Sequence, residues 1–281
     1  EAIAAGQLAP DVHVLGIAFD GTGAGTDGTI WGGEFLIAGL ADFERTAHLR
    51  TWALPCGAAS VRDARRNAFA LLSELDLLEH PGAAGLLGGL DEQTRSITTT
   101  MIKRNINSPR TSSMGRLFDA AAAILDICGT ATYEGEPAIE LEAAAWRALG
   151  SRTVRPIDYQ SGIPTSVDDS TILDSQPLIE ALLEGIEAGA SPDRLALDFH
   201  IAIARASARI ASEICAREGI DIVALSGGVF MNRLLLRFLT RELKDAGLAV
   251  LVPHTVPVND GCIAYGQAAV ARARLTQIAS R

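Results

Sequence analysis

The chain reads as an α/β protein, and three observations carry that reading. Apolar strand-like runs alternate with helix-period segments, two glycine-rich turns each follow an apolar run, and 48% of the residues are hydrophobic. No uninterrupted apolar run reaches the roughly 18 residues that a bilayer span needs. The length of 281 residues suits one large domain or two smaller lobes. Lys plus Arg number 24 against 34 Asp plus Glu, a formal charge of −10 without a basic block. That balance disfavours a nucleic-acid surface and points to small molecules or proteins as partners. No basic-then-apolar leader opens the chain, so a cytoplasmic protein without membrane contact is expected.

Taken in order, residues 12–19 and 30–38 have strand character and flank the first glycine-rich stretch, Phe19-Asp-Gly-Thr-Gly-Ala-Gly-Thr-Asp-Gly28. Between 61 and 79, Ala64, Ala68, Leu71, Leu72, Leu75 and Leu78 recur at helical spacing until His80-Pro81-Gly82, and 82–89 reads as a loose small-residue connector. The Ala- and Leu-rich run 116–128 predicts a helix with Gly129 at its cap, and another helix follows Pro137. Prolines, serines and aspartates without periodicity mark 154–175 as an exposed linker or flap and a possible lobe boundary. Residues 192–217 read as a helix buried on more than one face. The last part alternates strand 221–225, helix 231–244, strand 249–252 and helix 261–278. Such a βαβα unit implies a parallel sheet with ligands beyond the carboxyl ends of its strands.

The second glycine-rich turn, Leu225-Ser-Gly-Gly-Val-Phe-Met-Asn232, falls at one such strand end and Asn259-Asp260-Gly261 at another. Glycines let backbone N–H groups approach an anion, so the two turns could close on one nucleotide and steady developing negative charge. Asp20 and Asp260 could face one crevice as hard oxygen ligands for a divalent metal, or serve as a turn carboxylate and a helix N-cap. Asp119, Glu136 and Glu140 could accept from ribose hydroxyls or simply face solvent, and Asn232 could reach a nucleotide or cap its own helix. His13, His48, His80, His200 and His254 form no ligand pair, and Cys56, Cys128, Cys215 and Cys262 form no C-x-x-C, so most of the cysteines are expected to pack. No Ser-His-Asp, Cys-His or P-loop arrangement occurs, and the catalytic residues stay unassigned.

Several motifs, in order through nearly the whole chain, together resemble the HypF family of hydrogenase maturation carbamoyltransferases. They are Asp20-Gly-Thr-Gly23, Thr26-Asp-Gly-Thr-Ile-Trp-Gly-Gly-Glu-Phe35, Thr111-Ser-Ser-Met-Gly-Arg-Leu-Phe-Asp-Ala120, Tyr133-Glu-Gly135, Ala138-Ile-Glu-Leu-Glu-Ala143, Leu225-Ser-Gly-Gly-Val-Phe-Met-Asn-Arg233 and Asn259-Asp-Gly261. The resemblance is to that family's carboxyl-terminal region, which is similar to the tRNA threonylcarbamoyl transferase. It implies the actin-like ATPase (ASKHA) fold, two lobes with mixed sheets flanked by helices, here a fragment lacking the first part of one lobe, with 1–281 a partial carbamoyltransferase domain. The implied activity is transfer of the carbamoyl group of carbamoyl-adenylate, made from ATP by a YrdC-like domain, to the carboxyl-terminal cysteine of HypE.

The resemblance also implies Asp20 and Asp260 as metal ligands for iron, zinc or magnesium. It implies Gly21, Gly23, Gly227, Gly228 and Asn232 as nucleotide contacts, and Asp119, Glu136 and Glu140 as holding the nucleoside. Glu136 departs from the glycine usual in the tRNA-modifying branch, and Cys56 lies where the family commonly has Pro-Gly-Gly. Two metal-binding histidines of an H-x-x-x-H helix, together with the acylphosphatase, zinc-finger and YrdC-like domains, are expected upstream of Glu1. Alone, this chain is therefore expected neither to complete the metal site nor to make carbamoyl-adenylate. An O-carbamoyltransferase with a small-molecule acceptor, a tRNA-modifying transferase and an inactive partner-binding scaffold are the alternatives.

Overall fold

A computed structural model describes residues 1–6, 8–150, 165–167 and 170–279. The first third holds strands β1 (Val14–Ala24), β2 (Ile30–Ala38), β3 (Phe43–Leu49) and β4 (Trp52–Ala53), then helices α1 (Ala58–Arg62), α2 (Ala64–Glu74), α3 (Ala84–Gly88) and α4 (Glu92–Lys103). The middle holds β5 (Arg110–Thr111), α5 (Met114–Ile124), α6 (Glu136–Gly150), β6 (Thr165–Val167), β7 (Ser170–Leu173), α7 (Gln176–Glu187) and α8 (Pro192–Glu218). The chain continues through β8 (Ile222–Ser226), α9 (Arg233–Asp245), β9 (Ala249–Leu251) and α10 (Ile263–Ala279). The described strands join in one nine-stranded mixed sheet, ordered β6-β7-β3-β2-β1-β8-β9, with β5 paired to β2 and β4 paired to β5. Helices flank it, as the α/β reading requires. The described residues thus supply one sheet and one continuous core of the two lobes that the family resemblance implies.

The sheet divides by direction. β1, β2 and β3 form an antiparallel meander, whereas β1, β8 and β9 run parallel through the crossover helix α9. Parallel neighbours align their carboxyl ends at one edge, and loops there can converge. Beneath that edge Phe19 of β1 stacks on Phe230 at 5.5 Å and meets Phe35 of β2 edge-on at 5.7 Å. Every residue of α5 is buried, and α8 buries more than half of its 27 residues, so both form the middle of the helical layer.

Several local expectations need correction. The helical spacing of 61–79 resolves into two helices, with Asp63 between them accepting from the Arg66 N–H, and α2 ends at Glu74 as Asp76 turns left-handed at φ 57°. Its later leucines pack in a turn rather than on a helix. The supposed connector 82–89 contains a 3₁₀ turn, Pro81–Ala83, and α3. Gly129 does not cap α5: the helix closes at Leu125 and Asp126 takes the left-handed position at φ 52°. Strands β3, β4 and β5 and helices α4 and α7 were not legible as elements. The α4 segment is rich in Thr and weakly apolar, and its clearest mark is Asp91, which accepts from the Thr94 N–H at 2.7 Å. The linker expected at 154–175 lies mostly outside the described residues; from Ser170 the chain is β7, parallel to β3.

Candidate functional site

A bulge in β1 and two strand exits meet in one cleft of about 550 Å³, lined by Asp20 and Gly21 of β1, by Gly228 and Asn232 after β8, and by Asn259 and Asp260 after β9. The first of these is not the open turn expected from sequence. β1 continues to Ala24, and its register with β2 shifts between Phe19 and Gly23, so that Asp20, Gly21 and Thr22 bulge opposite the single residue Gly32. The bulge turns Asp20 and Gly21 into the cleft and leaves Gly23 back in the ladder, paired with Trp31 and off the cleft wall. Ser113, the N-cap of α5, fixes the bulge from below. Its hydroxyl accepts from the Arg116 N–H and donates to the Asp20 and Gly21 carbonyls, 2.7 and 2.8 Å away.

Gly227 ends β8 at φ 105°, and a Cβ there would lie 2.1 Å from the Phe19 carbonyl oxygen. Only glycine permits strand β8 to turn this close to β1. Its N–H donates to Val258 O at 2.8 Å, tying the β8 exit to the β9 exit, while Gly227 itself stays behind the cleft surface. The Gly21 and Gly228 N–H groups both donate to Oδ1 of Asp20, at 2.8 and 3.3 Å. These two amides, expected to greet a ligand anion, are taken in this structure by the carboxylate of Asp20.

The opposite wall belongs to α5 and α6. Arg116 and Asp119 are buried and ion-paired at 2.8 Å, yet Nε of Arg116 and Oδ1 of Asp119 have no hydrogen-bond partner. Burial pushes the Asp119 carboxyl up to about 6 against the opposing pull of Arg116. Both residues line the cleft, and a guanidinium beside a carboxyl there fits a polar ligand that brings hydroxyl and anionic groups together. Arg116 was not singled out from sequence, although the run Ser113-Met-Gly-Arg-Leu-Phe-Asp119 puts it one helical turn before Asp119.

Glu136 and Glu140 do not line the cleft; Glu134 and Glu142 do. Glu136 instead accepts from the backbone N–H and hydroxyl of Thr132, which holds its carboxyl below the usual range. Glu142 accepts from the Leu234 N–H at 3.2 Å and the Trp146 indole at 3.1 Å. Asn232 caps α9 by accepting from the Leu235 N–H at 2.9 Å, and it also lines the cleft. Asn259 likewise caps the 3₁₀ turn Asp260–Cys262. Of the cysteines expected to pack, Cys215 is buried, and Cys56, Cys128 and Cys262 are partly exposed.

Asp20 and Asp260 are brought to the same cleft. Among the described residues no group of three or more His, Cys, Asp or Glu could hold a metal ion, and Oδ1 of Asp20 is spent on backbone amides. The donor set of the described residues therefore does not by itself make a complete divalent site. Among the described residues no helix is long and apolar enough to cross a membrane.

A family model described as "Carbamoyltransferase, Kae1-like Domain, second subdomain" matches residues 16–267. The carbamoyltransferase HypF homolog of Cupriavidus necator is 37% identical over 270 residues, covering 92% of this chain and 65% of that protein. The carbamoyltransferase HypF of Rhizobium leguminosarum bv. viciae is 38% identical over 265 residues, covering 92% of this chain and 32% of that one. Among solved structures, a full-length HypF in its phosphate- and nucleotide-bound form matches with a TM-score of 0.85 at 33% identity, over 94% of this chain and 34% of that one. The chain therefore spans about a third of the full-length relatives and just under two thirds of the Cupriavidus homolog.

Proposed function

The chain belongs to the HypF carbamoyltransferase family, and from that membership we propose that its cleft binds the adenylate part of carbamoyl-adenylate while the carbamoyl group passes to a cysteine thiol. The acceptor proposed is the carboxyl-terminal cysteine of HypE, and the chain is proposed to act in the cytoplasm with the upstream domains of its longer relatives. The observation that carries the reading is the convergence of the β1 bulge with the β8 and β9 exits on a cleft whose far wall holds the unsatisfied Arg116 and Asp119. A nucleotide offers both of them partners: hydroxyls that donate to Asp119 and phosphate oxygens that accept from Arg116.

In the proposed transfer the acceptor sulfur attacks the carbamoyl carbon, the bond from that carbon to the phosphate oxygen breaks, and AMP leaves with the added charge. The thiol proton goes to solvent. Arg116 supplies a fixed cation beside the leaving group, and a fixed charge in a half-closed cleft needs little reorganisation as the bond breaks. Besides the ligand role implied by resemblance, Asp20 acts as a brace that joins β1 to the β8 exit, its Oδ1 accepting from Gly21 and Gly228. Gly227 contributes by letting the backbone take this shape, and Glu136 by holding Thr132 ahead of α6, rather than by direct contact.

The test is to supply this chain, and the chain extended by its upstream region, with synthetic carbamoyl-adenylate and a peptide ending in cysteine. Mass spectrometry of the peptide reads the transfer. A carbamoyl adduct formed by the extended chain and lost in Arg116→Gln is the expected result; no adduct with either form would overturn the proposal.

A further inference from the structure

His200 lies on α8 with no exposed surface, and both its ring nitrogens are engaged. Nδ1 lies 2.7 Å from the carbonyl oxygen of Ala196, one turn earlier, and a carbonyl only accepts, so Nδ1 carries the proton. Nε2 is left as an acceptor, and it faces Nδ2 of Asn232 at 2.9 Å. The other end of that amide is settled independently. The Leu235 N–H, 2.9 Å away, only donates, so the atom facing it is Oδ1. Phe118 meets the imidazole edge-on at 5.2 Å, and burial pulls its pKa down to about 4, so the ring is neutral near pH 7.

We propose that His200 is a positioning residue for the cleft: it locks the Asn232 amide with its oxygen toward α9, so that Asn232 presents the ligand with a hydrogen-bond donor and never an acceptor. The amide nitrogen has two hydrogens. His200 takes one, and the second is the donor left at a residue that lines the cleft. Without a fixed acceptor behind it, the amide could turn over and offer its oxygen. The lock thereby selects ligand atoms that carry lone pairs, a purine ring nitrogen or a phosphate oxygen, at this wall. The inference deepens the nucleotide reading and rests on it for the identity of the ligand.

Two measurements on the 281-residue chain separate the two ideas. Histidine ¹⁵N NMR reads the tautomer without any ligand: a protonated Nδ1 with a bare Nε2 on His200 is expected, and a protonated Nε2 overturns the lock. Calorimetry with ADP then reads the consequence. If the parent chain binds no ADP, the nucleotide reading fails and the ligand half of the inference falls with it, while the tautomer still decides the lock. Given binding, Asn232→Asp keeps an oxygen for the Leu235 N–H and removes the donor, and about five- to tenfold weaker binding is expected. His200→Leu should weaken binding by a similar factor. His200→Gln, whose amide can donate to Ala196 and accept from Asn232, should recover most of it. Unchanged affinity in Asn232→Asp, or equal weakening by His200→Leu and His200→Gln, overturns the proposal. Asn232→Asp carries the test alone if His200→Leu does not fold.

Discussion

Gly227 and Gly28 both have positive φ, 105° and 80°, but their surroundings differ. An added Cβ at Gly28 meets nothing within 4 Å, whereas at Gly227 it meets the Phe19 backbone at 2.1 Å. Gly28→Ala should therefore cost about 1 kcal/mol, the ordinary penalty of a left-handed alanine. Gly227→Ala should cost on the order of 3 kcal/mol or more, because β1 and β8 must separate. Urea unfolding of both variants checks the contrast, and equal costs would refute the close approach. Two buried titratable groups give a second expectation. His200 is drawn from 6.5 to about 4, so the unfolded chain holds more protons there and stability falls as pH drops through that window. Asp119 is pushed from 3.8 to about 6, so the native chain holds the extra proton and stability is lost as pH rises from about 4 to 6. The two slopes oppose one another between about pH 4 and 6. Asp119→Asn should expose the His200 slope, with stability dropping more steeply on acidification than in the parent. His200→Leu should expose the reverse, and thermal melts across pH 4–7 would show both.

Among the elements, α5 matters most to the site because its first turn is tied to the β1 bulge. Ser113 caps the helix and at the same time anchors the Asp20 and Gly21 carbonyls, and Gly115 lets the helix approach, since a Cβ there would lie 2.8 Å from the Gly21 Cα. Ser113→Ala should cost about 1–2 kcal/mol, the upper range for a cap, because bonds outside the helix are lost as well. Hydrogen exchange should quicken at Gly21 and Gly228, whose amides depend on Asp20 staying in place. Faster exchange confined to α5 would show that the bulge is held by something else. Neither the cap at Ser113 nor its second task was read from the sequence: the expected helix began at 116, and the carbonyls that Ser113 holds lie about 90 residues earlier.

For the whole molecule, the described residues bury one continuous core, and the cleft is a meeting of loops at the edge of that core. Loops held mainly by a few polar contacts are the part a ligand can stabilise. ADP at about a hundred times its dissociation constant should raise the unfolding free energy by about 2.7 kcal/mol if only the native state binds it. The expected readout is an upward shift in melting temperature that grows with the logarithm of ADP concentration and shrinks in Arg116→Gln. A flat response at millimolar ADP would remove the cleft from consideration as a nucleotide site.

What the sequence by itself determined was the α/β class, the closing βαβα unit and the ordered glycine and Asp motifs, because strand and helix periods and turn chemistry act over a few neighbouring residues. The family followed from the order of those motifs. Several things depended on the tertiary structure alone. The bulge at Asp20 comes from a register shift between two strands, the burial of Arg116 with Asp119 from packing of α5 under the sheet, and the His200–Asn232 bond from the contact of α8 with α9. Glu136 and Glu140 were singled out and Glu134 and Glu142 were not, because the sequence does not show which side chains before and along α6 turn to the cleft. The two glycine turns likewise looked free to receive an anion until the fold set the Asp20 carboxylate between them. Each of these is an interaction between segments distant in sequence, and only the folded chain brings the partners within reach.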